Sequence, residues 1–260
     1  MGAAILKEGW LSGSVAVSHK GRIDLVTQYD PMSEAAIVEL IRRERPGEGV
    51  LAEEGGGERE GERVWCIDPL DGTTNFAHGL PFFTVSIALL LNGEPVVGVV
   101  NNPALGYEFY ATRGGGAWFN GVPLATLEND RKLLKSIVAF GCGYDRHANP
   151  GRYLPMMERF MVNSQGLRRT GSASLDCCFV ARGWFDAYVE VNLYPWDLAA
   201  GALIAAECGA VVTDVNGAPL DSFSGRIMVA RPGVHGELQS LATQNGLFTG
   251  EFDGTWGHKK

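Results

Sequence analysis

The chain has 260 residues, 45% of them hydrophobic, which is enough to bury a large core in one domain or in two closely packed halves. Lys and Arg number 22 against 30 Asp and Glu, giving a net charge of −8 with no basic stripe, so nucleic-acid binding by phosphate neutralisation is not expected. The 5 cysteines lack metal-ligand or disulfide-framework spacing, the 5 histidines show no HxxxH or HExxH, and no apolar run approaches a membrane span. The expectation is a cytoplasmic protein with buried, reduced thiols, no membrane partner and no leader pattern at its N-terminus.

In chain order, residues 3–17 begin with a brief helical pattern that Gly and Ser interrupt. His19-Lys20-Gly21-Arg22 is a polar loop leading into residues 24–30. After Pro31, residues 33–45 carry Ala36, Ile37, Leu40 and Ile41 at helical spacing and stop at Pro46-Gly47. Residues 50–52 form a short strand ending in Glu53-Glu54, followed by the run GGGEREGER. That run lacks the Lys and hydroxyl residue of a phosphate loop and is expected to be a mobile hairpin tip. Residues 64–67 form a strand, and 84–91, 95–101 and 107–111 an antiparallel meander with turns at Asn92-Gly93 and Asn102-Pro103; 114–121 is loop and turn.

Positions 122–135 mark a boundary between an α+β half (1–135) and an α/β half (136–260). The second half alternates: strand 136–140, helix 153–162 with a Met-rich face expected in the core, strand 167–170, helix 172–182 and strand 186–191. Helix 196–208, strands 210–213 and 227–230 and helix 236–244 complete it. Strands alternating with helices imply a partly parallel sheet covered on both faces.

The stretch Trp65-Cys66-Ile67-Asp68-Pro69-Leu70-Asp71-Gly72-Thr73-Thr74-Asn75-Phe76 carries the chemistry. Asp68 and Asp71 flank a Pro-Leu pair, so the strand is expected to end there. Both carboxylates and the Leu70 carbonyl can then converge on one point, as a hard cation such as Mg²⁺ demands. The N–H groups of Gly72, Thr73 and Thr74 open the next segment, where a helix start suits an anion. A polar turn with a helix cap is the plainer alternative. Two further acidic positions favour the metal: Glu53-Glu54 at a strand end, and Asp197 in Tyr-Pro-Trp-Asp at a helix start. Four acids meeting over one crevice would repel each other without cations.

Together, Ala52-Glu53-Glu54, the 65–76 stretch and Trp196-Asp197-Leu198-Ala199-Ala200-Gly201 resemble the inositol monophosphatase family. So do Lys20-Gly21 with residues 24–30, Arg168-Arg169 with Gly171-Ser172-Ala173 and Leu175-Asp176, and residues 183–190. The likeness covers roughly residues 15–245. It implies a layered αβαβα sandwich of the sugar-phosphatase type, with an antiparallel sheet in one half and a mixed, partly parallel sheet in the other.

The resemblance also implies a lithium-sensitive phosphomonoesterase, a hydrolase using two to three Mg²⁺ ions on a small phosphorylated polyol, and a homodimer. Glu53, Asp68 and the Leu70 carbonyl would hold one metal and Asp68, Asp71 and Asp197 a second, with a weaker third near Glu53. Thr73, backed by Asp30, would orient the attacking water. The Gly72 and Thr73 amides would grip phosphate, and Glu190 with the backbone of residues 171–173 would meet substrate hydroxyls. Lys20 would sit in a loop near the metals.

Inositol monophosphate is the first substrate implied. Fructose 1,6-bisphosphate, histidinol phosphate or a phosphoadenosine nucleotide are alternatives, and a regulatory binding protein on the same fold is the reading from another class. No GxSxG nucleophile motif and no GxGxxG after a strand compete with this. One departure stands out: the family's first helix is longer than the pattern at 3–9, so weaker packing or dimerisation is expected there.

Overall fold

Seven helices and fifteen strands follow one another along the residues that the computed structural model describes, 1–21, 23–57 and 59–244. Arg22, Glu58 and positions 245–260, on which parts of the expected polar loop, hairpin tip and second half fall, lie outside the described residues. The first part holds α1 (Gly2–Ser12), β1 (Val17–His19), β2 (Leu25–Thr27), α2 (Tyr29–Glu44), β3 (Gly49–Ala52), β4 (Gly56–Gly57), β5 (Arg63–Asp71) and α3 (Thr73–Ala77). Strands β6 (Thr84–Leu91), β7 (Glu94–Asn102), β8 (Tyr107–Thr112), β9 (Ala117–Phe119) and β10 (Val122–Pro123) complete its sheet. Then come β11 (Ile137–Phe140), α4 (Pro150–Asn163), β12 (Gly166–Arg168), α5 (Ala173–Ala181) and β13 (Ala187–Val191). The described chain closes with α6 (Pro195–Glu207), β14 (Val211–Thr213), β15 (Arg226–Ala230) and α7 (Pro232–Thr243).

One sheet has eight strands in the order β10-β9-β8-β7-β6-β5-β3-β4, antiparallel throughout except for the parallel pair β3–β5. The other has five, in the order β12-β11-β13-β15-β14, parallel from β12 to β13 and antiparallel beyond. The two-residue period of a strand sorts their side chains into three cores. On β5, Ile67 faces Leu6 of α1 and Ile37 and Ile41 of α2, whereas Val64 and Cys66 face the other way, towards α5 and α6. On β13, Tyr188 faces that same helical layer, and Val189 and Val191 face Tyr153, Met156 and Phe160 of α4 and Leu238 of α7. The result is five layers, α1–α2, sheet, α5–α6, sheet, α4–α7, as the resemblance implies.

Several local expectations give way to packing. Helix α1 does not stop at Gly9: it runs to Ser12 and ends on Gly13 in the left-handed region. A Cβ at Gly9 would lie 2.6 Å from the Tyr29 ring, so this glycine lets α1 approach α2 rather than breaking the helix. Helix α2 begins before Pro31, because a first-turn proline forfeits no intrahelical hydrogen bond. Residues 114–121, expected as loop, include β9 paired with β8. On α4, Met156 is in the core but Met157 and Met161 are 37% and 61% exposed, since the period that turns residues 153, 156 and 160 inward turns these outward. Cys142 is half-buried and the other four thiols are buried; none forms a disulfide. Among the described residues no helix is long and apolar enough to cross a membrane.

Strand β5 does not end at Asp68, contrary to expectation. Asp68 pairs with Ser86 and Asp71 with Thr84, so three steps on β5 match two on β6. The extra residue is a β-bulge that absorbs Pro69, which has no N–H to give the ladder.

The central helical layer sits unusually close to its neighbours at two glycines. A Cβ at Gly98 on β7 would fall 2.9 Å from the Ala200 carbonyl oxygen of α6, and one at Gly201 on α6 would fall 2.7 Å from the Cys177 Cβ of α5. Gly98→Val should therefore lower the melting temperature by about 5 °C or more, because the atoms it meets are backbone and cannot yield. An unchanged melting curve would show that β7 and α6 are not held this closely.

Candidate active site

Three chain ends meet where the bulged end of β5 faces the N-termini of α5 and α6. Asp68, in phase with Val64 and Cys66, points into the helical layer and is 2% exposed. Its Oδ1 accepts the Leu70 N–H at 2.9 Å, closing the turn around Pro69. Asp71 is gripped by the start of α5: Oδ2 accepts Ser172 Oγ at 2.7 Å, Ser174 N at 2.9 Å and Ser174 Oγ at 2.5 Å, while Oδ1 accepts Ala173 N at 3.2 Å. Asp197 occupies the third position of α6 and accepts the Tyr194 N–H at 2.7 Å, so it also caps the helix. Its charge acts on Asp68, whose carboxyl it holds towards the protonated form.

Gly72 bends the chain from β5 into α3 at φ 91°, and a Cβ there would meet the Phe82 carbonyl oxygen at 2.7 Å. Thr73 Oγ1 lies 3.0 Å from Leu70 O and 3.2 Å from Asp30 Oδ1, so its single proton has two acceptors. Asp30 is fixed by Thr27, whose N–H and hydroxyl donate to Oδ2 at 2.9 and 2.6 Å. Glu53 stands in the turn after β3, its N–H donating to Ile67 O at 3.2 Å. Lys20, reaching in from the β1–β2 hairpin, places Nζ 3.0 Å from Glu53 Oε1 and also contacts Glu54. On the opposite wall, Glu190 accepts the Tyr188 hydroxyl at 2.6 Å.

A cavity of about 370 Å³ brings together Asp71, Gly72, Thr73, Gly171, Ala173, Glu190 and Asp197. Glu53, Asp68, Asp30 and Leu70 are not on its lining; they stand behind it, and the Ser172 hydroxyl is turned to Asp71. Sequence reasoning missed the groups that hold this set. Glu34 of α2 accepts the Glu54 and Gly55 N–H groups at 2.8 and 2.7 Å and so fixes the turn carrying Glu53. Ser174 is backed by Thr84 at 2.7 Å, and Gly141 leaves the space that the Glu190 carboxyl fills. The local signal in that stretch is Ser172, the helix-capping residue beside Gly171, which the resemblance already marks.

Burial and mutual repulsion dominate the electrostatics. Burial, then Glu53, Asp71 and Asp197, push the Asp68 pKa well above the carboxylate range; burial and then Asp71 do the same to Asp197. Glu53 is raised by burial despite Lys20, and Asp30 is raised to about 6, again chiefly by burial. Burial also raises Asp71, while the α5 donors pull it back. Burial alone would lower Lys20, yet Glu53 and Glu54 raise it.

The donor set fits a hard divalent cation. The oxygens are carboxylates and one carbonyl, buried or half-buried, and among the described residues the ammonium of Lys20 is the cation paired with them. Among the described residues no three acids are already drawn around a single point. Lys20 holds Glu53, and the α5 start holds Asp71, so loading would require these side chains to turn.

Layered sheets with an acidic crevice between them mark the metal-dependent phosphatases. The model of the inositol monophosphatase family matches residues 2–246, and the chain belongs to that family. It is 42% identical over 230 residues to the inositol-1-monophosphatase of Synechocystis sp., covering 87% of this chain and 80% of that one. To the chloroplastic phosphatase IMPL1 of Arabidopsis thaliana it is 39% identical over 230 residues, 85% of this chain but 62% of that longer protein. The crystal structure of the extragenic suppressor protein suhB from Bartonella henselae superposes with a TM-score of 0.87 at 35% identity, covering 94% of this chain and 95% of that one.

Because the folded Asp68 pKa lies above the unfolded value of about 3.9, the native state keeps its proton longer than the unfolded chain does. Stability is therefore full below that unfolded value and falls as pH rises towards the folded one. Asp68→Asn keeps an acceptor for Leu70 N–H and removes this penalty. The metal-free variant should melt about 3 °C or more above wild type near pH 8, and by a smaller margin near pH 5. A variant less stable than wild type at both pH values would contradict the repulsion.

Proposed function

We propose that this protein is a Mg²⁺-dependent phosphomonoesterase that hydrolyses inositol monophosphate to inositol and phosphate, with water as the attacking group. The observation that carries this reading is that Asp71, Asp197, the Gly72–Thr73 turn and Glu190 line one cavity, with Asp68 buried on the same bulged strand end as Asp71. The name of the Synechocystis relative supports the substrate. Glu53, Asp68 and the Leu70 carbonyl would hold one Mg²⁺, Asp68, Asp71 and Asp197 a second, and a third would lie near Glu53. Bound Mg²⁺ supplies water ionised at neutral pH and charge neutralisation for the phosphoryl group and leaving oxygen.

The chain does the positioning, which is most of what phosphoryl transfer requires. Thr73 Oγ1 can give its proton to Asp30 and accept one from the attacking water, fixing that water's direction. The Gly72 and Thr73 N–H groups donate to the phosphate oxygens. Glu190, whose Oε2 takes one proton from Tyr188, offers its remaining lone pairs to hydroxyls of the polyol, with the backbone of residues 171–173 beside it. Lys20 neutralises Glu53 and Glu54 where they stand, and a metal held by Glu53 would compete with it for that carboxylate. Lithium sensitivity and a homodimer in solution belong to the same proposal.

Asp68→Asn should reduce phosphate release from inositol 1-phosphate by about 10²-fold or more while the circular dichroism spectrum is kept. Substantial Mg²⁺-dependent turnover in that variant would remove Asp68 from the site. Glu190→Gln should raise KM for inositol 1-phosphate about tenfold and leave p-nitrophenyl phosphate, which has no hydroxyls, much less affected. Equal losses on both compounds would exclude Glu190 from polyol recognition.

A further inference from the structure

Asp176 is a buried carboxyl to which the reading above gives no task. It stands in the first turn of α5, is 2% exposed and is not on the lining of the cavity. Thr170 Oγ1 donates to its Oδ1 at 2.6 Å. Burial raises the Asp176 pKa well above the carboxylate range, against the pull of that hydrogen bond. A carboxyl in this state serves its neighbour as an acceptor oxygen rather than as a charge.

Thr170 is held at its other end as well. Its carbonyl accepts Asn75 Nδ2 at 2.9 Å, and the same nitrogen donates to Phe82 O at 2.6 Å. Asn75 belongs to α3, the helix that opens at the Gly72–Thr73 turn. A chain of contacts therefore runs from Asp176 through Thr170 to Asn75, joining the helical layer to the turn that would grip phosphate. The two walls also meet backbone to backbone. A Cβ at Gly72 would lie 3.4 Å from Gly171 O, and one at Gly171, where φ is 91°, would lie 3.1 Å from Asn75 Nδ2. Asn75, Thr170 and Gly171 all line the cavity that Glu190 lines.

The links of this chain differ in what depends on them. Asn75 keeps Phe82 O whatever becomes of Thr170, so the phosphate turn stays anchored. The start of α5 keeps Asp71 through Ser172 and Ser174, so that acid stays in place too. What the bond between Thr170 and Asp176 fixes is the segment leading from Thr170 into Gly171, whose backbone would meet the hydroxyls of the polyol.

We propose that Asp176 is a positioning residue that acts through Thr170, setting the wall that recognises the polyol at a fixed distance from the turn that holds its phosphate. This rests on the phosphatase reading and adds to it a residue behind the cavity wall.

The test measures KM and kcat for inositol 1-phosphate and for p-nitrophenyl phosphate, which has no hydroxyls to be placed. Asp176→Ala should raise KM for inositol 1-phosphate about fivefold or more, change kcat less, and leave both constants for p-nitrophenyl phosphate within about twofold of wild type. Asp176→Asn keeps an acceptor for the Thr170 hydroxyl and should restore the wild-type KM. Thr170→Val keeps the shape of a half-buried side chain, removes the donor, and should reproduce Asp176→Ala; it decides the matter if Asp176→Ala does not fold. The double variant should be no worse than either single one, because both break the same bond. Equal losses on the two compounds would overturn the proposal, as would additive losses in the double variant or an Asn variant as impaired as the Ala one. A merely structural role predicts the first two of these patterns, and a role for the charge predicts the third. Wild type that hydrolyses neither compound would overturn the phosphatase reading and the positioning role with it.

Discussion

Like charges forced together in a place with little water are the constraint on which the rest of this structure depends. Asp68 and Asp71 are buried and Asp197 is half-buried, and repulsion adds to the cost of desolvation. The fold meets that cost in part with groups of its own. The first turn of α5 gives Asp71 four hydrogen bonds, and Lys20 lies on Glu53. None of them carries as much positive charge as a divalent cation.

The five layers serve that crowding. Asp68 and Asp71 come from a strand, Asp197 from the helix packed on it, and the donors to Asp71 from the next helix. Their meeting depends on how closely α5, α6 and the eight-stranded sheet can stack. Gly98 and Gly201 permit an approach that no side chain would allow, and Ser86 Oγ ties the start of α6 to β6 through Trp196 O at 3.0 Å. Glu53 arrives by another route, from β3 on the far side of β5, with its turn held by Glu34. The elements that carry these acids are positioned by packing, while their side chains are held by other partners.

Much of this could be read in the sequence where chemistry and local pattern coincide. The run from Asp68 to Thr73 combines acids, a proline and a glycine whose positions have few other uses, and the strands around it are short apolar runs. What stayed hidden depends on contacts between distant segments. Nothing local distinguishes Gly9 as a packing glycine from a helix breaker; only the Tyr29 ring decides it. Pro69 argued for the end of a strand, and the register of β6 turned that end into a bulge. Glu34, Thr84 and Ser174 look like ordinary polar residues until the partners they hold are in place, and the outward turn of Met157 and Met161 follows from where the sheet lies.

The most direct measurement is calorimetric titration of the protein with Mg²⁺ near pH 7, repeated in buffers of different ionisation enthalpy so that released protons can be counted. If the buried acids are the cation site, their raised pKa values mean that binding must expel protons, and the observed heat will vary with the buffer. The same Mg²⁺ should raise the melting temperature by about 5 °C or more at saturating concentration. Binding with no proton release and no change in melting would contradict the account, because the acids would then be neither protonated beforehand nor relieved by the metal.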